Sequence, residues 1–196
     1  MRRSLLAMLV PLAGCLGPQQ DSSAYFLLSP APVPTESTPV PVVLGLGPVT
    51  IPGYLDRPQI VVRLSENEVA LAEADRWAEP LGGHFTRTLG ENLSMLLPGS
   101  SHIEYPWYES EAPDFALSLK LRRFEADATG GVVLDATWRL SRGSALVDGG
   151  AARIVESARG PERTAAVAAQ SRALGQLSSD IAAAVRRAWA ASERRP

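Results

Sequence analysis

The chain has one cysteine, Cys15, and two histidines, His84 and His102, among its 196 residues. A single thiol closes no internal disulfide, and without clustered imidazoles or carboxylates it makes no metal site. His84 falls near the start of an apolar periodic segment and His102 in the loop after it. Neither stands in an HExxH or other ligand spacing, so both read as structural or surface side chains. There is no Gly-x-Ser-x-Gly elbow and no phosphate-binding loop, and the proline of Gly45-Leu46-Gly47-Pro48 spoils that stretch as a dinucleotide loop. No catalytic, cofactor-binding or metal residue is assigned, although paired carboxylates are an acid–base device that sequence alone does not exclude. No apolar run approaches the roughly 18–20 residues that cross a bilayer. Basic charge is not in excess either: the formal net charge is −2, which argues against nucleic acid as a partner and against attachment to a membrane by charge.

What is present starts at the N-terminus. Met1-Arg2-Arg3 is a positive n-region, Leu5 to Leu12 a short apolar h-region, and Ala13-Gly14 a small-residue pair before Cys15, the order of a secretory signal. Leu12-Ala13-Gly14-Cys15 has the pattern of a bacterial lipobox. In that chemistry the thiol receives a diacylglyceryl group, cleavage frees the cysteine amine, and the amine takes a fatty acyl chain such as palmitate. Each buried acyl CH₂ contributes about 0.8 kcal/mol, so several chains on one residue hold a protein stably where one is marginal. Cys15 is therefore expected to be the lipid attachment site and the membrane anchor. Bacterial lipoproteins retained at the inner membrane tend to carry Asp directly after the lipidated cysteine; Leu16 stands there, and by resemblance to that sorting pattern the outer membrane, on its periplasmic side, is favoured. Loss of residues 1–14 removes Arg2 and Arg3 and leaves a net charge of about −4.

The expected organisation is a signal peptide at 1–14, a lipidated N-terminus and spacer at 15–23, and one domain at 24–196. Tyr25-Phe26-Leu27-Leu28 reads as a first strand. Residues 29–41 hold Pro30, Pro32, Pro34, Pro39 and Pro41 and read as an extended, solvated connection of polyproline type. From Val42 a strand, a loop and a hairpin follow, the hairpin formed by Pro58 to Leu64 and Glu68 to Ala74. Leu81, Phe85, Leu89, Leu93 and Leu96-Leu97 mark one face of a helix from about Glu79 to Leu97, stopped by Pro98-Gly99. Phe115, Leu117, Leu119 and Leu121 alternate with polar or small residues, as do Val132, Leu134, Ala136, Trp138 and Leu140, and the two strands are expected to pair. A third strand runs from Ala145 to Ser157, with Gly149-Gly150 marking a bulge or bend. Residues 163–191 form an alanine-rich helix whose stripe is expected to pack on the sheet, a coiled-coil seam being the alternative. The fold class that results is α+β, a single domain with a mostly antiparallel mixed sheet and two main helices on one face.

One stretch stands apart, GPVTIPGYLDRPQIVVR from Gly47 to Arg63. Two readings are open. It is a strand, a tight Pro52-Gly53 turn and a second strand with a solvated tip; or its Tyr54, Asp56 and Arg57, with Trp77 nearby, form a surface for a partner, aromatic and Arg side chains being what protein contacts use.

The lipobox, Tyr25-Phe26-Leu27-Leu28, the Gly47–Arg63 block and Arg76-Trp77-Ala78-Glu79-Pro80-Leu81 at the head of the first helix occur in this order in the PqiC (YmbA-type) lipoproteins. The chain resembles that family over nearly all its length, with a departure in the proline-rich 29–41 segment. The family comprises auxiliary lipoproteins of ABC-type or MCE-type transport systems. The resemblance implies a non-enzymatic periplasmic domain on the outer membrane that accompanies an MCE-domain transporter subunit, moves lipid or other apolar cargo between the inner and outer membranes, and supports envelope integrity. It supplies no catalytic residue, and no cofactor beyond the covalent lipid. A homo-oligomeric ring is expected, to match the ring of an MCE assembly. The alternative is an accessory lipoprotein of another envelope assembly, such as secretion or lipopolysaccharide export; an anchored hydrolase is the least favoured class.

Overall fold

The computed structural model describes residues 22–31, 38–108, 110 and 112–194. Cys15, the signal peptide, most of the spacer and the middle of the proline-rich segment lie outside the described residues. Eight strands and two helices follow in order: β1 (Ala24–Phe26), β2 (Val43–Thr50), β3 (Gln59–Arg63), β4 (Val69–Trp77), α1 (Leu81–Leu96), β5 (Ser101–Glu104), β6 (Phe115–Asp127), β7 (Gly131–Arg142), β8 (Ala145–Ser157) and α2 (Arg163–Glu193). Together they make one α+β domain with a mixed sheet.

β6 organises the sheet because both of its edges are used. On one edge β7 pairs antiparallel along Ala116 to Ala126, and β8 pairs antiparallel with β7, so the two alternating segments form the expected hairpin with a third strand outside it. The other edge is shared: β2 lies parallel to the start of β6 at Leu44 to Thr50, and β3 lies parallel to its end at Val62 and Arg63. β5 extends the sheet beyond β2, while β4 and then β1 extend it beyond β3. The Gly47–Arg63 block is thus the bridge that carries the chain along one edge of β6.

Alternation decides which face is buried. Phe115, Leu117, Leu119 and Leu121 of β6 and Val132, Leu134, Ala136 and Leu140 of β7 point to the face covered by the helices. α1 sets Leu81, Phe85, Leu89 and Leu93 into this layer, and Phe85 meets Phe124 edge to face at 5.3 Å. Each such side chain, fully buried, contributes about 1.5–3 kcal/mol by leaving water. The stripe of α2, including Leu174, Leu177, Ile181 and Val185, is buried against β7, β8 and α1, so it packs on the sheet.

Four expectations are corrected. Arg76 and Trp77 end β4 instead of heading a helix, because they find ladder partners in β1 and β3; the helix starts at Leu81, with Pro80 as its N-cap. His102 belongs to a short strand, β5, parallel to β2, where a loop was expected. The proline-rich connection is not wholly solvated: Ala31 and Val40 are buried. Finally, Gly149 and Gly150 stay in register opposite Arg139 and Trp138, and the irregularity falls between Leu140 and Ser141, near Val147. Gly150 is small for a packing reason, since a Cβ there would lie 3.2 Å from the Trp138 indole nitrogen.

Candidate functional site

The polypeptide that leaves β1 passes over the seam between α1 and α2, and polar side chains from the two helices receive its backbone. The Leu28 N–H donates to His84 Nε2 at 2.7 Å, the Ser29 N–H to Ser171 Oγ at 3.1 Å, and the Ala31 N–H to Asn92 Oδ1 at 3.1 Å. Asn92 in turn donates to Ser178 Oγ of α2 at 3.2 Å, which joins the helices. A buried N–H without an acceptor is costly, so these side chains fix the path of an otherwise irregular segment. Because Nε2 accepts, the proton of the ring is assigned to Nδ1, which has no partner among the described residues. Burial pushes the His84 imidazole below its ordinary value, and its ring meets Trp77 edge to face at 5.8 Å. His84 is thus a structural acceptor.

Beside this seam lies an open groove of about 550 Å³, between Tyr25–Ala31 and the first turns of α2. Its walls include Phe26, Leu27, Pro30, Val167 and Ala168, with Arg172 at the rim. Tyr25 and Leu27 remain 60% and 53% exposed there. Arg172 is occupied by Glu156 at 2.9 Å and by the Ser157 carbonyl at 2.7 Å. The groove offers apolar contact and stands where the chain enters the domain.

The residues proposed for a partner surface separate in space. Asp56, Arg57 and Trp77 line a shallow pocket of about 340 Å³ together with Glu79 and Pro80. Trp77 is only 5% exposed and belongs to the core, so little of its ring is offered outward. Tyr54 turns to a different site: its hydroxyl donates to Glu125 Oε2 at 2.9 Å. Glu125 is buried and also accepts from Arg63 Nε at 2.6 Å, Arg123 Nε at 2.8 Å and the Phe124 N–H at 3.0 Å. Burial works to raise the Glu125 carboxyl, but these donors outweigh it and hold it below the ordinary carboxylate range. Burial and the bond to Glu125 push the Tyr54 hydroxyl up to about 12. The network ties the Pro52–Pro58 turn to β3 and β6.

Sequence reading missed Glu125, Asn92, Ser171 and Ser178. Glu125 had a signal: the doublet Arg122-Arg123 breaks the alternation of β6, and the register shift between Leu121 and Arg123 turns Glu125 onto the face of Arg63 and Arg123. Among the described residues no cluster of His, Cys, Asp and Glu is arranged to hold a metal ion, and no helix is long and apolar enough to cross a membrane.

The architecture is an α+β domain in which the polypeptide after β1 crosses the seam of the two helices beside an apolar groove. Residues 25–182 match the ABC-type transport auxiliary lipoprotein components, and the chain belongs to that family, the PqiC/YmbA-type lipoproteins. Two crystal structures share the fold. One is of an uncharacterized protein, 22% identical, with a TM-score of 0.68 over 82% of this chain and 97% of the other. The second is protein XCC0632 from Xanthomonas campestris, 18% identical, with a TM-score of 0.67 over 81% of this chain and 92% of that one. A comparison with curated proteins finds no match.

Proposed function

We propose that the protein is a non-enzymatic lipoprotein of the outer membrane, anchored through Cys15 on its periplasmic face, that serves an MCE-type transporter and helps pass lipid or other apolar cargo between the two membranes. Family membership supports a transport auxiliary. The observation that most favours apolar cargo is the groove at Tyr25–Ala31, because large apolar side chains stand exposed there beside the entrance of the tether. In this reading the MCE-domain subunit is the protein partner, the pocket at Asp56 and Arg57 is one point of contact, and several copies surround the passage as a ring. A contact repeated around an axis closes such a ring without a second kind of subunit.

Photocrosslinking in intact envelopes tests this. A photoreactive residue in place of Leu27 is expected to form adducts with lipid, and one in place of Arg57 adducts with an MCE-domain subunit. Both are expected to vanish in a Cys15→Ser background, which is expected to yield an unprocessed or soluble chain. Adducts only with a secretion or lipopolysaccharide-export component would transfer the protein to that assembly. Recovery of the Cys15→Ser chain at its processed mass in the outer-membrane fraction would defeat the anchor.

A further inference from the structure

The sheet has a second face, and among the described residues no helix covers it along β6, β7 and β8. Along β6, β7 and β8 the side chains that alternate with the core point there: Lys120, Arg139 and Arg153 are exposed on it, and Arg122 and Arg123 join them at the bulge of β6. Opposing them are three carboxylates. Asp135 is shared, accepting from Arg122 Nε at 2.9 Å and lying 3.7 Å from Arg153 Nη1, and Glu125 is buried in its own network with Arg63 and Arg123. Asp127, at the hairpin end, is spent on the Thr129 and Gly131 N–H groups of the turn. Among the described residues Lys120 and Arg139 have no carboxylate within ion-pair distance. Between the cations the face carries small or neutral side chains, Ser118, Thr137 and Ala151, so nothing bulky shields them. A chain of net charge −2 therefore has a cationic face on one side of its sheet.

We propose that this helix-free face docks on the anionic headgroups of the membrane that holds the lipoprotein. Charge complementarity is the first argument. Guanidinium groups engage phosphate oxygens in paired hydrogen bonds, and each basic side chain near an anionic bilayer strengthens binding about fivefold. Reach is the second. From Cys15 to Ala24 the chain spans at most about 30 Å at about 3.3–3.6 Å per residue, and it enters the sheet itself at the edge strand β1, so the sheet can lie flat against the bilayer without strain on the tether. The patch ends at the β2 side, where Tyr105, Trp107 and Pro113 lie against Gly45 and Gly47, which confines the contact to β6, β7 and β8. The net acidity of the whole chain concealed this asymmetry, because charge summed over a sequence carries no information about faces. The inference needs only the membrane tether of a lipoprotein, and it holds whichever transporter the protein serves.

The test uses a chain beginning at Ser22, which keeps the core intact because the buried residues run from Leu28 to Val185. It is sedimented with vesicles of phosphatidylcholine alone and of phosphatidylcholine with phosphatidylglycerol. Binding is expected only to the anionic vesicles, and it weakens as salt rises through the range that screens surface charge. Lys120→Glu and Arg139→Glu are each expected to reduce it more than fivefold, with thermal melts unchanged because both positions are exposed. Arg194→Glu, at the far end of α2, is the control and is expected to leave binding unaltered. Equal partition onto neutral and anionic vesicles, or equal loss in Arg194→Glu, would overturn the proposal. So would capture of an acidic protein in place of lipid by a photoreactive residue at position 139 in intact envelopes.

Discussion

Replacing Glu125 by Gln removes one charge from the network that ties the Pro52–Pro58 turn to β3 and β6. The carboxylate is buried and meets Arg63, Arg123, Tyr54 and the Phe124 N–H. Breaking a buried ion pair costs about 3–5 kcal/mol when the partner is left stranded without water. Here the guanidinium side chains keep access to solvent, 19% for Arg63 and 26% for Arg123, so they rehydrate in part once the charge is gone. The amide also keeps one oxygen as an acceptor. Together these lower the expected loss to about 2 kcal/mol, or about 4–8 °C in melting temperature for a domain of this size. A pH dependence accompanies it. The folded carboxyl lies below its unfolded value, so its contribution is fully present above the unfolded pKa of about 4.3 and is lost as pH falls through the folded one. Scanning calorimetry from pH 7 down to pH 3 is therefore expected to show a steep acid slope in the native chain and a shallower one in Glu125→Gln. A melting shift below about 1 °C, with the acid slope unchanged, would refute the assignment of Glu125 as the tie between turn and sheet.

Two further outcomes follow from the packing. His84→Leu leaves the Leu28 N–H without its acceptor and is expected to cost about 1–3 kcal/mol at neutral pH by denaturant titration. Burial holds the folded His84 pKa down, so the unfolded chain binds the proton first. Native stability then falls as pH drops below about 6.5, and this slope should vanish in His84→Leu; an unaltered slope would show that His84 is not its source. Gly45→Ala would set a Cβ 2.7 Å from Pro113 Cγ and 2.8 Å from the Trp107 ring, an overlap worth about 1–3 kcal/mol. Displacement of Trp107 should shift tryptophan emission to the red, whereas an unmoved spectrum at native stability would contradict the close packing of β2 against the loop after β5.

Periodicity made the long elements legible because it reports which side of an element each residue occupies. Leu81, Phe85, Leu89 and Leu93 defined the buried face of α1, and the alternations from Phe115 and from Val132 defined β6 and β7. What periodicity does not carry is the identity of the neighbour. β5 is four residues long, too short to show a pattern, and exists because Val43 to Leu46 offer it an edge. The burial of Ala31, in the proline-rich 29–41 segment, goes with an acceptor on Asn92, about sixty positions away, so proline content alone gave the wrong environment for part of that segment. Tyr54 and Trp77 raised the question of an interface as aromatic side chains in or near a loop. Their partners, Glu125 and His84, show that both are held inward, while Asp56 remains exposed at the pocket beside Arg57.

The two faces of the sheet divide the requirements of a tethered accessory protein. One face is closed by α1 and α2 and carries the groove; the other, along β6, β7 and β8, exposes Lys120, Arg139 and Arg153. With the cationic face on the headgroups, the helical layer and the groove point away from the bilayer. After β1 the backbone is gripped in succession by His84, Ser171 and Asn92, and Asn92 is bonded to Ser178, so this segment ties the edge of the sheet to both helices. Detaching this segment breaks all three of these hydrogen bonds and strands buried N–H groups, so the wall that it gives the groove is held in place on the helices.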